Sequence, residues 1–455
     1  MKILVVHNYY RISGGEDSVV ANETALLRRM GHDVTLYFRS NNEYADLKGS
    51  ARLKKLALPF ITVFNPKTYR DIRKIIRDKK IDIVHVHNTL NLISPSVYYA
   101  AKSLKIPVVQ TVHNYRLICP GAALYRDKGI CEDCLKGSLK CDFNAGSKDS
   151  FKGGLKCDFN VGTNGRFRGG YKGSLTCALK YKCYRGSFLE TLCCVILLKI
   201  HRGLGIYKKI NYICLTEFNK NKLLSSGVEF GKIFVKPNFA NAEDELKSER
   251  LKRESSAGST LEYFVYAGRL DELKGVDFLL KSWSEDMPEL LMCGTGPLSK
   301  WCSDYIRDNR IKNVVLKGVV EHKEVMELLR GAKGVILPTR WYEGFPMIIA
   351  ESYSVGTPVI ATNLGNAGDL VKEGVTGYKF EDGDAQGLRR AVRKVCEAYT
   401  QAQEGLCNNA PDLRKTIIEY FNEHYGPQKN YEELMEIYEC CIKSGTKAVT
   451  IHNHF

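Results

Sequence analysis

The stretch EGFPMIIAESYSVGTP, from Glu343 to Pro358, places two carboxylates eight positions apart around the predicted start of a helix. Pro346 suits the first turn of a helix, and the free N–H groups of such a turn attract phosphate. Eight residues at a rise of about 1.5 Å span about 12 Å. Glu343 and Glu351 can therefore reach hydroxyl groups on either side of a bound diphosphate. Alone, the stretch also fits two solvated glutamates flanking an ordinary core helix.

A second stretch, YFVYAGRLDELKGVD from Tyr263 to Asp277, predicts an apolar strand that ends at Gly268. Arg269 and Lys274 then stand in the loop before the next helix. Arginine is a fixed bidentate fork for phosphate and lysine is a mobile point charge, so the pair can neutralise a leaving diphosphate without a metal. Two such cations beside a turn are, by themselves, usually only solvated charges.

The beginning of the chain predicts a third element. Lys2 to His7 (KILVVH) indicates a buried strand, and Gly14-Gly15-Glu16 begins a helix that runs to about Met30. Paired glycines at a strand-to-helix turn allow close approach of the backbone to phosphate. The turn matches neither a full G-x-G-x-x-G nor a P-loop.

A fourth element, PVVQTVHNYR from Pro107 to Arg116, predicts a buried strand that ends at His113. Ligands of doubly wound sheets bind at the carboxyl ends of strands. His85 and His87, at the end of the preceding strand, are competing candidates, and we interpret them as structural or near the acceptor.

Together these elements resemble the retaining glycosyltransferases of family 4, the glycogen-synthase-like branch. The resemblance covers nearly the whole chain except about Lys140 to Gly173. It is carried by an E-x7-E signature at Glu343 and Glu351 and by a G-R-L…K-G motif at Gly268, Arg269, Leu270, Lys274 and Gly275. It implies transfer of a sugar from a nucleotide-diphosphate-sugar to a hydroxyl acceptor, with retention of configuration and no cofactor required for catalysis.

The resemblance also assigns roles to residues. Glu343 would hold hydroxyls of the donor sugar, Glu351 the ribose, and His113 the sugar from the opposite domain. Arg269 and Lys274 would stabilise the departing diphosphate. The implied catalytic residues are His113, Glu343, Arg269 and Lys274, and the implied donor site comprises Gly14, Gly15, Gly268, Arg269, Lys274, Glu343, Gly344, Phe345, Pro346, Met347 and Glu351.

The 455 residues are too many for one core and fit two α/β units. Apolar strands alternate with amphipathic helical stretches, which is typical of parallel sheets built from βαβ units. We therefore predict two Rossmann-like, doubly wound parallel-sheet domains facing across a cleft, which the resemblance identifies as GT-B. The predicted boundaries are 1–238 for the acceptor-side domain, 239–428 for the nucleotide-sugar domain, and 429–455 for a last helix that crosses back to the first domain.

A Cys-rich basic insertion is predicted at about 119–185. Between Leu135 and Arg185, eleven Lys and Arg stand against three Asp, a net charge of +8, and a short Gly-rich motif occurs three times. It is either a solvated loop or a surface that contacts anionic membrane or a lipid-diphosphate acceptor.

Sixteen cysteines, without an export signal, favour free thiols or a metal site over disulfides. Cys119, Cys131 and Cys134 form C-x11-C-x2-C, and Cys183 follows the insertion. Four thiolates can bind a structural zinc ion tetrahedrally. Unligated thiols are the alternative, and Cys141, Cys157 and Cys177 compete for the fourth position.

We therefore expect a hexosyltransferase of cell-surface polysaccharide synthesis. Its expected partners are a nucleotide-diphosphate-sugar donor, a saccharide or lipid-linked acceptor and anionic membrane, with no nucleic acid. No apolar run spans a bilayer, so we expect a cytoplasmic protein, peripheral at the inner face of the cell membrane. The alternatives are another GT-B enzyme, such as a nucleotide-sugar epimerase, and a nucleic-acid-binding protein that uses the basic insertion.

Overall fold

The computed structural model describes residues 1–11, 14–44, 57–135, 175–241, 263–403 and 412–447. Most of the repeats of the predicted insertion and most of the predicted interdomain link lie outside these residues. None of the helices in the described ranges is both long and apolar enough to cross a membrane.

The first sheet has six parallel strands in the order β2-β1-β3-β4-β7-β8. Its strands are β1 (Lys2–Tyr9), β2 (Asp33–Ser40), β3 (Ile83–Asn88), β4 (Val108–Val112), β7 (Asn211–Cys214) and β8 (Ile233–Val235), and a small antiparallel hairpin joins β5 (Tyr125–Arg126) to β6 (Gly129–Ile130). Its helices are α1 (Gly15–Arg29), α2 (Leu58–Val63), α3 (Pro66–Lys79), α4 (Ser96–Ser103), α5 (Thr176–Lys180), α6 (Phe188–Gly203) and α7 (Glu217–Ser225).

The second sheet is also parallel, in the order β11-β10-β9-β12-β13-β14. Its strands are β9 (Tyr263–Ala267), β10 (Glu289–Cys293), β11 (Val314–Gly318), β12 (Gly334–Leu337), β13 (Val359–Thr362) and β14 (Gly377–Phe380). The helices are α8 (Val276–Ser282), α9 (Ser299–Asp308), α10 (His322–Gly331), α11 (Met347–Ser354), α12 (Gly365–Leu370), α13 (Ala385–Gln403), α14 (Leu413–His424) and α15 (Pro427–Lys447). The strand order reverses between β9 and β12, where doubly wound sheets bind ligands.

Apolar side chains cover both faces of each sheet, as parallel sheets require. One face of the first sheet packs on α3, α4 and α6 through residues such as Ile72, Val97 and Leu198. Its other face packs on α1 and on α15, whose Leu434 and Tyr438 lie against Ile3 and Val5. The prediction of two doubly wound parallel-sheet domains is confirmed.

Candidate active site

The two domains enclose a cleft of about 1260 Å³. Most of the residues that the sequence predicted for catalysis and donor binding line it: Gly14, Gly15, His113, Arg269, Lys274, Glu343, Gly344, Phe345, Pro346, Met347 and Glu351. Gly268 differs, because it does not line the cleft. Its amide donates to Cys293 O at 3.0 Å, and a Cβ atom on Gly294 would lie 1.9 Å from its carbonyl oxygen. Gly268 therefore holds two loops together beneath the cleft.

The loop after β9 projects Lys274 toward Glu343. The Asp271 side chain accepts a hydrogen bond from the Lys274 amide at 3.0 Å, and Gly275 follows in the left-handed region at φ 68°. A Cβ atom on Gly275 would lie 1.9 Å from Pro338 O, so only glycine fits there. The Lys274 ammonium lies 2.6 Å from Glu343 Oε2. The predicted cation and the first predicted carboxylate are thus direct partners.

Two buried polar atoms beside this pair lack a hydrogen-bond partner among the described residues. They are Glu343 Oε1 and Trp341 Nε1, and both residues line the cleft. Glu343 is only 5% exposed. Burial of an unpaired acceptor or donor costs free energy, so both atoms are available to a ligand that carries hydroxyl groups.

The other two predicted donor-binding side chains are paired within their own domain. The guanidinium of Arg269 is 70% exposed and lies 2.7 Å from Asp271. Glu351 Oε1 lies 3.2 Å from His322 Nε2, within hydrogen-bond distance. Both pairs are partly open to solvent, so a ligand can replace either partner at small cost.

The N-termini of two helices lie close together at the cleft. A Cβ atom on Gly15, at the start of α1, would lie 3.6 Å from Met347 Cγ, at the start of α11. The free amides and dipoles of both helix starts favour an anion between them. Burial raises the pKa of Glu16, at the start of α1, to about 8. A carboxyl that is mostly protonated at neutral pH does not repel such an anion.

The domains make a close backbone contact beside His113. A Cβ atom on Gly344 would lie 1.9 Å from the carbonyl oxygen of His113. The side chain of Asn366 stabilises this junction, since it donates to the carbonyls of Glu343 and Gly344 and to Tyr115 of the first domain. The glycine of the E-x7-E signature is therefore required where the two domains meet.

A buried polar cluster lies behind His113. His87 Nδ1 is 2.9 Å from His113 Nε2, and His87 Nε2 is 3.4 Å from Glu23 Oε1. His85 lies between Tyr438 and Thr111, at 2.6 and 2.8 Å. Neither His85 nor His87 lines the cleft. His85 has a structural position, and His87 contacts the cleft residue His113 directly.

Sequence reasoning missed several cleft residues. Thr295, Gly296 and Pro297 follow β10 and line the cleft. The glycines of Cys293-Gly294-Thr295-Gly296 after an apolar strand are a signal that could have found this loop. Tyr10 and Trp341 also line it, and a lone aromatic residue in a loop carries no such signal.

The four cysteines predicted as zinc ligands lie in one region outside the cleft. Cys119 and Cys134 are buried and Cys131 and Cys183 are partly buried, all as free thiols. Burial raises the pKa of the Cys134 thiol, and the neighbouring Cys119 and Cys183 raise it further. In the described ranges, however, no three cysteine sulfurs lie within 4.8 Å of one another. A closed zinc site needs sulfurs about 3.8 Å apart, so these thiols would have to move closer together to bind the ion.

Known families match each domain separately. The model described as Glycosyltransferase Family 4 matches residues 13–136, and the model described as Glycosyl transferases group 1 matches residues 247–413. These matches support a GT-B glycosyltransferase of the family 4 type.

Individual known proteins match this chain only over part of its sequence or at low sequence identity. The chain is 31% identical over 145 residues to the glycogen synthase of Mycobacterium tuberculosis. This match covers 30% of this chain and 35% of that protein. It is 28% identical over 171 residues to an uncharacterized 41.2 kDa protein in the cps region of Klebsiella pneumoniae, covering 35% of this chain and 45% of that protein. The structure of Anabaena Alr3699/HepE in complex with UDP and glucose superposes with a TM-score of 0.60 at 13% identity, over 97% of this chain and all of that one, and shows the fold.

Proposed function

We propose that the chain transfers a sugar from a nucleotide-diphosphate-sugar to a hydroxyl group of a saccharide acceptor, with retention of anomeric configuration. The observation that carries the proposal is the Lys274–Glu343 pair at 2.6 Å, with Glu343 Oε1 left unpaired in the cleft. A cation for phosphate and a buried acceptor for hydroxyls thus stand side by side.

In the proposed reaction, the bond between the anomeric carbon and the diphosphate oxygen breaks while the acceptor oxygen bonds to that carbon from the same face. Lys274, Arg269 and the two helix starts stabilise the departing negative charge, which is electrostatic preorganisation. Glu343 accepts from sugar hydroxyls and Glu351 from the ribose. The leaving diphosphate takes the proton of the acceptor hydroxyl. Protein cations replace a divalent ion, so activity should persist in EDTA.

The test is incubation of the purified protein with a panel of UDP-, GDP- and ADP-sugars, read by mass spectrometry for hydrolysis and transfer. We expect one nucleotide and one sugar to be preferred, and NMR of the product to show the anomeric configuration of the donor. Inversion would contradict the retaining mechanism, and absence of turnover with the whole panel would contradict the assignment of the donor.

We further propose that the acceptor is linked to a lipid and that the enzyme works at an anionic membrane. An exposed apolar stripe on α6 supports this, because Leu189, Ile196, Ile200 and Leu204 recur at helical spacing and all are exposed. The stripe lies beside α2, where Phe60 is 77% exposed and Val63 O bonds to His201 of α6 at 2.9 Å.

Basic residues occur in the sequence of α6 and of the stretch that precedes α2. Lys199 of α6 is exposed, and the sequence just before α2 carries Lys48, Arg52, Lys54 and Lys55. Apolar side chains flanked by lysine and arginine are typical of helices that lie in the interface of an anionic bilayer. The predicted basic insertion would add to the same attraction.

Liposome flotation tests the membrane proposal. The double variant Leu189→Ser, Ile200→Ser should bind acidic liposomes less than the wild type, whereas Val319→Ser, which removes an apolar side chain that is 76% exposed in the second domain, should not change binding. Deletion of Lys140 to Gly173 should weaken binding at low salt but spare hydrolysis of the donor. Equal flotation of all four proteins would contradict the proposal.

A further inference from the structure

The ring of His113 is held by a chain of buried groups that reaches from α1 to the cleft. Glu23 of α1 and His87 of β3 are both 3% exposed. Glu23 Oε1 lies 3.4 Å from His87 Nε2, and His87 Nδ1 lies 2.9 Å from His113 Nε2. None of the described residues forms a hydrogen bond with His113 Nδ1, the ring nitrogen that remains for a ligand in the cleft.

Both histidines are neutral at pH 7, and Glu23 is charged. Burial lowers the pKa of His87 to about 4 and, with the neighbouring His87, lowers that of His113 well below its ordinary value. Burial alone would raise the pKa of Glu23, but His85 and Lys236 outweigh it and hold the pKa well below its usual range. Lys236 Nζ lies 3.4 Å from Glu23 Oε2.

These charge states set where the protons stand. Glu23 Oε1 lies 3.1 Å from His85 Nδ1 and 3.4 Å from His87 Nε2, a distance at which it forms no hydrogen bond of ordinary geometry with His87. Its negative charge nevertheless favours the proton of His87 on Nε2, the nitrogen nearer to the carboxylate. His87 Nδ1 is then an acceptor. His113 must donate to it from Nε2, which leaves His113 Nδ1 without a proton.

We propose that Glu23 and His87 are positioning residues that hold His113 in the Nε2–H tautomer, so that its Nδ1 lone pair faces the cleft. His113 then accepts a hydrogen bond from an O–H donor. It neither donates a proton nor pairs with phosphate. That the donor is a hydroxyl of the transferred sugar rests on the proposed function.

A bound cation is the competing interpretation of this cluster. Glu23, His85 and His87 offer three ligand atoms within 4.8 Å of one another. Lys236 already supplies a positive charge to Glu23, and Tyr438 occupies His85 Nδ1. A cation on His87 Nε2 would also move the proton of His87 to Nδ1, and His113 would then carry its proton on Nδ1. The two interpretations predict opposite tautomers.

The experiment is ¹⁵N NMR of the histidine ring nitrogens in the ligand-free full-length protein, with the His113 signals assigned by His113→Gln. We expect Nε2 of His113 to carry the proton and Nδ1 to be bare. Glu23→Gln should invert this tautomer, because Lys236 retains the amide oxygen and the NH₂ group then donates to His87. Asp17→Asn changes the same chemical group on the same helix, next to His7, and should leave the His113 signals unchanged.

A protonated Nδ1 in the wild type would overturn the proposal, as would an unchanged tautomer in Glu23→Gln. If Glu23→Gln does not fold, two variants of His87 provide the test. His87→Asn keeps an acceptor near the position of Nδ1 and should preserve the tautomer, whereas His87→Leu should lose it.

Donor hydrolysis gives a second readout. We expect kcat/KM to fall about tenfold or more in His87→Leu and less than about threefold in His87→Asn. Equal losses in both variants would contradict positioning through this hydrogen bond. If the wild type hydrolyses no nucleotide-sugar while the tautomer is as expected, the proposed function fails and the positioning of His113 stands.

Discussion

Lys274 and Glu343 neutralise each other in the ligand-free cleft, and a donor would have to separate them in part. The ammonium is only 22% exposed and the carboxylate 7%, so neither charge is well solvated when its partner moves away. A diphosphate that takes over Lys274 releases both oxygens of Glu343 for hydroxyl groups. Under the proposed function, the pair therefore links binding of the phosphate to binding of the sugar.

Lys274→Ala should lower kcat/KM at least tenfold, or about 1.4 kcal/mol, because it removes a cation from the leaving group. Arg269→Ala should act in the same direction. Steady-state kinetics with the preferred donor measures both. Lys300→Ala is the control, since that side chain is 89% exposed on α9. Wild-type turnover in Lys274→Ala would contradict the phosphate site.

Glu16 makes stability depend on pH. Its pKa is about 8 in the folded protein, against 4.5 for an ordinary glutamate. Between these values the folded state binds more protons than the unfolded state, so stability falls as pH rises from about 5 to 8. Burial favours the neutral carboxyl, and the hydrogen bond that Tyr10 donates to Glu16 at 3.0 Å opposes burial only in part.

Glu16→Gln should therefore raise the melting temperature relative to wild type by several degrees at pH 8 and by little at pH 5. The amide cannot ionise, so the penalty of charging a buried group disappears. Differential scanning fluorimetry at both pH values measures the effect. A difference that is the same at pH 5 and pH 8 would exclude titration of Glu16 as its cause.

At the scale of single helices and strands, local patterns in the sequence predict most of the elements that position the cleft residues. The strand KILVVH is β1, the helix predicted from Gly14 begins at Gly15, and the helix predicted near Pro346 begins at Met347. Apolar runs bounded by glycine and proline specify these elements without tertiary information. The loop after β10 was not predicted, because its two glycines have no charged motif beside them in the sequence.

The four cysteines lie in the loops that precede and follow two segments, the hairpin β5–β6 and α5. Arg126 of β5 stacks on Tyr181 at 3.7 Å and pairs with Asp133 at 2.9 Å, so the two segments are joined without a metal. The zinc ion predicted from the C-x2-C spacing stays a prediction. Elemental analysis of protein purified without chelators tests it, and less than about 0.1 zinc or iron per chain would dispose of the site.

At the scale of the whole molecule, the contact between Gly344 and the His113 carbonyl sets how closely the domains approach. Gly344→Ala should lower kcat/KM at least tenfold, because the added methyl group separates His113 from Glu343. Small-angle scattering should show a larger radius of gyration. Gly203→Ala, where a Cβ atom meets nothing within 4 Å, should change neither quantity. Unaltered kinetics in Gly344→Ala would mean that the cleft works in a more open form.

Contacts between distant parts of the chain could not be predicted from the sequence. His87 and His113 are 26 positions apart, and Tyr115 and Asn366 are 251 apart. No local pattern predicts such pairs, because they depend on how strands order within a sheet and how two sheets face each other. His113 and Glu343 could each be predicted as site residues from the sequence, but the side chains that form hydrogen bonds or ion pairs with them could not.

The last helix has a consequence for how the chain is made. Leu434 and Tyr438 of α15 cover Ile3 and Val5 on one face of the first sheet, although about 200 residues are synthesised between β8, the last strand of that sheet, and α15. At 5–20 residues per second, a ribosome needs about 10–40 s for that stretch. During this time the nascent first domain leaves part of an apolar face uncovered. We expect the emerging chain to need a chaperone on that face until its final helix leaves the exit tunnel.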